Sequence, residues 1–137
     1  MEGQTEKLEL VKRNISSYPD FPKPGILFRD LFSLLRNPRA FRALQDVMIE
    51  HISSQLTPRP EAVVALEARG FVLGPLIALH FDIPFIPVRK RGKLPGEVMQ
   101  ASFTLEYGTD IFEIQSSSIT GGLNVLIIDD LLATGGT

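Results

Sequence analysis

The stretch NVLIIDDLLATGGT, residues 124–137, brings an apolar run to two adjacent carboxylates, Asp129 and Asp130. A loop of small residues follows: Ala133, Thr134, Gly135, Gly136 and Thr137. Small residues let backbone N–H groups come close to an oxyanion, and the two hydroxyls add further donors. A helix starting after such a loop would add a favourable dipole. The lysine of a Walker phosphate loop is missing. The two aspartates cannot themselves bind phosphate, because like charges repel. They suit the hydroxyls of a ribose, or a magnesium ion held partly through water. Successive residues on a strand face opposite ways, so the two would have different partners. A phosphate, a diol and a metal at one strand end point to a ribose 5-phosphate. An acidic strand end followed by a flexible glycine turn is the plainer alternative.

Two further polar loops carry cations. RKRGK places Arg89, Lys90, Arg91 and Lys93 within five residues of a chain whose formal net charge is −2. At ~4 Å and an effective dielectric of ~20, each cation–phosphate pair contributes roughly 4 kcal/mol before desolvation. Such a cluster can hold a pyrophosphate, and a solvated basic turn is the alternative. In LEARGF, Arg69 follows an apolar run and precedes a glycine, with Glu67 within reach as an ion-pair partner.

These loops need elements to position them. Residues 5–17 read as a short helix with Leu8, Val11 and Ile15 on one face. Pro19, Pro22, Pro24 and Gly25 then impose an extended, looped path. Asn37 followed by Pro38 signals a helix start, and Phe41, Leu44, Met48 and Ile52 carry that helix to about Leu56. Val63–Leu66 reads as a strand buried on both faces. FVLGPLIALHF reads as an apolar helix, with Pro75 expected to end its first turn. IPFIPVRK is a second strand, and ASFTLEYGTDIFEI reads as two strands around a Tyr107–Asp110 turn. Gly121-Gly122 makes one more turn before the strand Val125–Ile128.

Strands alternating with helices predict an α/β fold with a mostly parallel sheet, a hairpin inserted before the last strand and an N-terminal appendage. In an open parallel sheet, ligands bind beyond the carboxyl ends of the strands. EARG, RKRGK and DDLLATGGT each follow directly on an apolar strand, so all three should share one edge.

Composition narrows the classes. Hydrophobic residues make up 44% and charged residues 22%, the balance of an ordinary globular domain. The slightly acidic net charge argues against a general nucleic-acid binder. With no cysteine, disulfides and thiolate metal sites are excluded. His51 and His80, the two histidines, have no metal-ligand spacing and read as helix-end or surface residues. The N-terminus lacks the features of a signal peptide, and no apolar run approaches the ~20 residues of a membrane span. A cytoplasmic location, with no membrane partner, is expected.

The strand, acid pair and Thr-Gly-Gly-Thr loop of VLIIDDLLATGGT resemble the phosphoribosyl pyrophosphate (PRPP) motif of the type I phosphoribosyltransferase family. YPDFPKPGILFRD, EARGF, RKRGKLPG, SFTLEYG and IDDLLATGGT occur in the order seen in its adenine-using members, from about Tyr18 to Thr137. The resemblance implies a Rossmann-like phosphoribosyltransferase core, residues 36–137, with residues 1–35 forming an N-terminal helix and an adenine-binding hood. It implies transfer of 5-phosphoribose from PRPP to adenine, giving AMP and pyrophosphate, with Mg2+ carried mainly by PRPP and water. Ala133 to Thr137 would hold the 5′-phosphate, and Asp129 and Asp130 would meet the ribose hydroxyls or the magnesium. Arg69 and Lys90, with Arg89 nearby, would meet pyrophosphate. Leu27, Phe28 and Arg29 would read adenine through backbone groups left free by an extended segment and an aromatic stack. Glu106 would be the catalytic carboxylate near the purine, in a hairpin lid to which Tyr107 belongs. A homodimer is implied as well.

Family chains continue beyond this motif into a further helix and strand. A C-terminally truncated chain with impaired activity is therefore expected. The alternative reading is an inactive form that binds PRPP or a nucleotide, or that partners a full-length copy.

Overall fold

The computed structural model describes residues 3–105 and 108–129. The chain divides into two compact units, Met1–Gln55 and Leu56–Thr137.

In the first unit the order is α1 (Gln4–Arg13), β1 (Ser16–Pro19), β2 (Leu27–Asp30), α2 (Leu31–Leu35) and α3 (Pro38–Gln55). The first helix stops earlier than the expected residue 17. The Asn14 side chain turns back to donate to the Leu10 carbonyl at 2.8 Å, and the Ser16 N–H donates to Ser33 Oγ at 2.8 Å. Both contacts draw the backbone away from helix. β1 and β2 pair antiparallel with Tyr18 opposite Phe28 and Pro19 opposite Leu27. The loop between them is closed by Asp20, which has a φ of 57° and accepts from the Gly25 N–H at 2.9 Å. Asn37 caps α3 by accepting from the N–H groups of Arg39 and Ala40 at 3.1 and 3.3 Å, as the Asn-Pro signal predicts. The core joins Leu10 and Val11 to Leu34, Ala40 and Ala43. This packing puts α3 with the N-terminal segment, in the compact unit that runs to Gln55.

The second unit contains β3 (Ala62–Leu66), α4 (Gly70–Phe81), β4 (Phe85–Lys90), β5 (Val98–Leu105), β6 (Gly108–Gln115), a 3-10 turn (Ser116–Ser118) and β7 (Val125–Ile128). The strand order is β5-β6-β4-β3-β7. β3 is parallel to both β4 and β7, while β6 runs antiparallel to β4 and to β5. The sheet is therefore mixed, with a parallel half and an antiparallel hairpin half. Ala62 to Ala65 are all buried, which accounts for the unbroken apolar run of a central parallel strand. One face of the sheet joins Val64 and Ile86 to Val88, Ile114 and Ile119. The other carries α4.

That helix runs through Pro75. Burial of Leu73, Gly74, Ile77 and Ala78 outweighs the one intrahelical bond a proline forfeits. The helix also lies close. A Cβ on Gly70 would stand 2.9 Å from both Ala65 Cβ and the Ile128 carbonyl, and one on Gly74 would stand 2.6 Å from the Phe85 ring. Phe71 meets Phe85 edge-on at 5.7 Å. The hairpin register pairs Leu105 with Gly108, so Thr109 and Asp110 belong to β6 and not to the expected turn. No helix among the described residues is long and apolar enough to cross a membrane.

Candidate active site

The register of the parallel half settles which residues emerge together. Leu66 lies opposite Val88, and Ala65 lies opposite Ile128. One step further along each strand come Glu67, Arg89 and Asp129. With strands ~4.8 Å apart, Arg89 and Asp129 flank the end of β3 at roughly 10 Å from one another. Arg69 sits at the N-cap of α4 in helical conformation, held at this edge by the close approach of Gly70. The first residues after β3, β4 and β7 thus leave one edge of the sheet, and of the third loop only Asp129 is among the described residues.

Within that edge the charges are already organised. Arg89 Nη2 donates to Glu67 Oε2 at 2.9 Å, and Nη1 lies 3.4 Å from the Lys93 carbonyl. Glu67 was expected to serve Arg69, yet its carboxylate reaches across to β4, because the strand register sets it directly beside Arg89. The hydrogen bond from Arg89 holds the Glu67 carboxyl below its ordinary pKa, helped by the charges of Arg89 and Lys93, while burial opposes the shift. Arg89 Nε is buried and has no hydrogen-bond partner among the described residues. Lys90 and Arg91 are exposed. The turn Lys90–Lys93 is closed by the Lys93 N–H donating to the Lys90 carbonyl at 3.2 Å, with Gly92 at φ 84°. That left-handed conformation favours glycine and allows a tight cationic turn.

Sequence reasoning missed Glu113. It is buried, 4% exposed, on β6. Its Oε1 accepts from the Gly92 N–H at 2.7 Å and its Oε2 from Gln100 Nε2 at 2.6 Å. Those two hydrogen bonds, Gln100's first, hold the carboxyl below its ordinary pKa against the effect of burial, with a smaller contribution from Arg91. Alternation in IFEIQ sends Glu113 to the face opposite Phe112 and Ile114, which reads as a solvent face. Only the strand pairing reveals that Arg89 and Gln100 lie directly opposite it.

A recess of about 350 Å3 opens on the sheet, lined by Val64, Leu66, Val88, Gln100, Glu113 and Ile127 among others. Its walls are mostly apolar and its one charge is negative, so it cannot receive a diphosphate. The cationic edge is the better candidate.

Leu27, Phe28 and Arg29 form β2 in the first unit. Leu27 and Arg29 are exposed, and Phe28 is half-buried with its ring edge-on to Phe21 at 5.1 Å. Their backbone is less free than expected, because β1 takes one edge of the strand. Glu106, Tyr107, Asp130, Ala133, Thr134, Gly135, Gly136 and Thr137 lie outside the described residues.

Among the described residues no three or more His, Asp or Glu groups cluster as metal ligands. Asp129, exposed at the end of β7, is a donor suited to a hydrated ion that brings most of its own ligands.

Comparison with known proteins shows the family and the fold. The model of the phosphoribosyl transferase domain matches residues 31–137. Adenine phosphoribosyltransferase from Proteus mirabilis is 48% identical over 137 residues, covering 100% of this chain and 73% of that protein. The crystal structure of adenine phosphoribosyltransferase from Saccharomyces cerevisiae, complexed with an imino-altritol bisphosphate and adenine, superposes with a TM-score of 0.88. It is 43% identical, over 96% of this chain and 76% of that one. The Trypanosoma brucei adenine phosphoribosyl transferase, in complex with AMP, pyrophosphate and ribose-5-phosphate, gives a TM-score of 0.81 at 25% identity. That match covers 95% of this chain and 57% of the other.

Proposed function

The chain belongs to the phosphoribosyltransferase family, and from that membership we propose that it transfers 5-phosphoribose from PRPP to adenine, releasing pyrophosphate and forming AMP. The observation that supports the reading is the shared carboxyl edge, where Arg89 and Lys90 end β4, Glu67 follows β3 and Asp129 follows β7. A cationic end for a leaving diphosphate lies next to an acidic end for a ribose.

In this reading Lys90 and Arg69 bind the diphosphate, and Arg89, fixed by Glu67, sets the shape of the turn that presents them. Charge accumulates on the diphosphate as the ribosyl bond breaks, so preformed cations stabilise the transition state more than the ground state. Asp129 and Asp130 orient the ribose by accepting from its hydroxyls, and the Ala133–Thr137 loop binds the 5′-phosphate. A magnesium ion bound to PRPP would neutralise the departing diphosphate, and Asp129 would contact its water shell. Glu106 manages a proton on the purine or faces the positive ribosyl carbon, and the hairpin carrying Tyr107 excludes water during transfer. Leu27, Phe28 and Arg29 select the base. Homodimeric assembly and a cytoplasmic location belong to the same reading.

The test is direct. The 137-residue chain is incubated with PRPP, magnesium and either adenine or hypoxanthine, and nucleotide and pyrophosphate are quantified. AMP formed in step with pyrophosphate, with little product from hypoxanthine, supports the reading. PRPP binding without AMP formation would move the protein to a binding module, and binding of neither substrate would overturn the proposal.

A further inference from the structure

Four side chains form a polar row across the sheet, one from each strand position. Glu67 follows β3, Arg89 stands on β4, Glu113 on β6 and Gln100 on β5. Arg89 lies opposite Glu113, and Glu113 opposite Gln100, so the last three side chains share a face. The member with most at stake is Glu113. It is 4% exposed, and an ionised carboxylate so enclosed is tolerated only when both oxygens are satisfied. One oxygen takes the Gly92 N–H at 2.7 Å and the other the Gln100 amide at 2.6 Å. Gly92 lies within the turn bearing Lys90, Arg91 and Lys93. That turn also leans on β6 through the Arg91 N–H, which donates to the Ile111 carbonyl at 3.0 Å.

We infer that Glu113 is a positioning residue: its carboxylate fixes the cationic turn in its diphosphate-binding shape and, through Gln100, ties that turn to the outer strand of the hairpin. The inference rests on the diphosphate reading of the cationic edge. Its physical content is simple. A turn of like charges tends to spread, and one buried anion bonded to its backbone offsets that repulsion. The bond to the Gly92 N–H sets the direction of the turn, while Gln100 sets where the carboxylate sits.

The test compares wild type with Glu113→Ala, Glu113→Gln and Gln100→Ala, all in the full chain. Titration calorimetry measures magnesium-pyrophosphate and, separately, AMP. Amide hydrogen exchange follows Gly92 and Lys93 against the amides of α4. Losing a charge-assisted hydrogen bond should weaken pyrophosphate binding by about tenfold or more in Glu113→Ala, with AMP affinity within about twofold. Glu113→Gln keeps an acceptor for Gly92 but loses the buried charge, and should recover only part of that affinity. Gln100→Ala alters an exposed side chain and should give a smaller loss in the same direction. Exchange at Gly92 should accelerate in Glu113→Ala with α4 unchanged. Parallel loss of both ligands, with α4 also opening, would show a merely structural role and overturn the inference. Unchanged pyrophosphate affinity with unchanged Gly92 exchange would overturn it as well. If wild type binds neither ligand, the proposed function fails, and the Gly92 exchange alone decides whether the carboxylate positions the turn.

Discussion

The parallel half of the second unit and its hairpin half hold their residues by different means. β3 and β4 share four register pairs, β3 and β7 four more, and α4 presses on them so closely that Gly70 and Gly74 have no room for a side chain. The hairpin meets β4 over two register pairs, Arg89 with Glu113 and Lys90 with Phe112, and its buried anchor is a carboxylate. In one half position comes from apolar packing, in the other from hydrogen bonds to charge. Apolar packing is non-directional and tolerates few volume changes. Polar anchoring is directional and can be loosened without unfolding the sheet beneath it. Substitutions in the parallel half should therefore register as stability, and those in the hairpin and its turn as ligand affinity.

The largest break expected is in the packed half. Ile77 is 1% exposed in α4, and Ile77→Ala should cost about 2–5 kcal/mol in urea unfolding, enough to unfold much of a marginal domain. A smaller loss is expected from Gly70→Ala. The new methyl would meet the Ile128 carbonyl and Ala65 Cβ at 2.9 Å, neither of which can swing aside. Overpacking of this kind costs about 1–3 kcal/mol, and a shifted urea midpoint at constant slope would record it.

Glu67→Gln should do the opposite. The Glu67–Arg89 pair is partly exposed, so solvent screening limits its stability effect to at most about 1 kcal/mol. Pyrophosphate affinity should fall all the same, because Arg89 keeps an acceptor but loses the charge that holds it in place; calorimetry beside the urea curve separates the two effects. Smallest is the response to acid. Both Glu67 and Glu113 have folded pKa values below their ordinary ones. Their contribution to stability is therefore fully present above the unfolded value of ~4.3 and is lost as pH falls through the folded values. Urea midpoints measured from pH 6 down to pH 3 should decline only below about pH 4.3, and less steeply in Glu113→Gln.

The same contrast explains what could be read from the chain. β3, β4 and β7 announce themselves as short apolar runs ending in charge, and the carboxyl-edge rule then brings Arg69, Arg89, Lys90 and Asp129 together without further information. Asn37-Pro38 marks the start of α3 with equal clarity, since one side chain and one ring act locally. The polar row could not be read this way. Whether Glu67 serves Arg69 or Arg89, and whether Glu113 faces water or the cationic turn, depends on registers between strands distant in sequence. β1 is hidden for a similar reason: Ser16 and Ser17 continue a helical pattern, and only Ser33 and the pairing with β2 draw them out of it.

Glu106 joins the two halves of this account, because it lies in sequence between the hairpin strands and was assigned the chemistry at the purine. The measurement that tests the central claim most directly is the initial rate of AMP formation from adenine and PRPP with magnesium, wild type beside Glu106→Gln. The account predicts adenine-dependent turnover in wild type and a loss of roughly 10²–10⁴-fold in the variant, with unchanged unfolding behaviour. Equal rates in the two proteins, or no AMP from a folded wild-type chain, would contradict it.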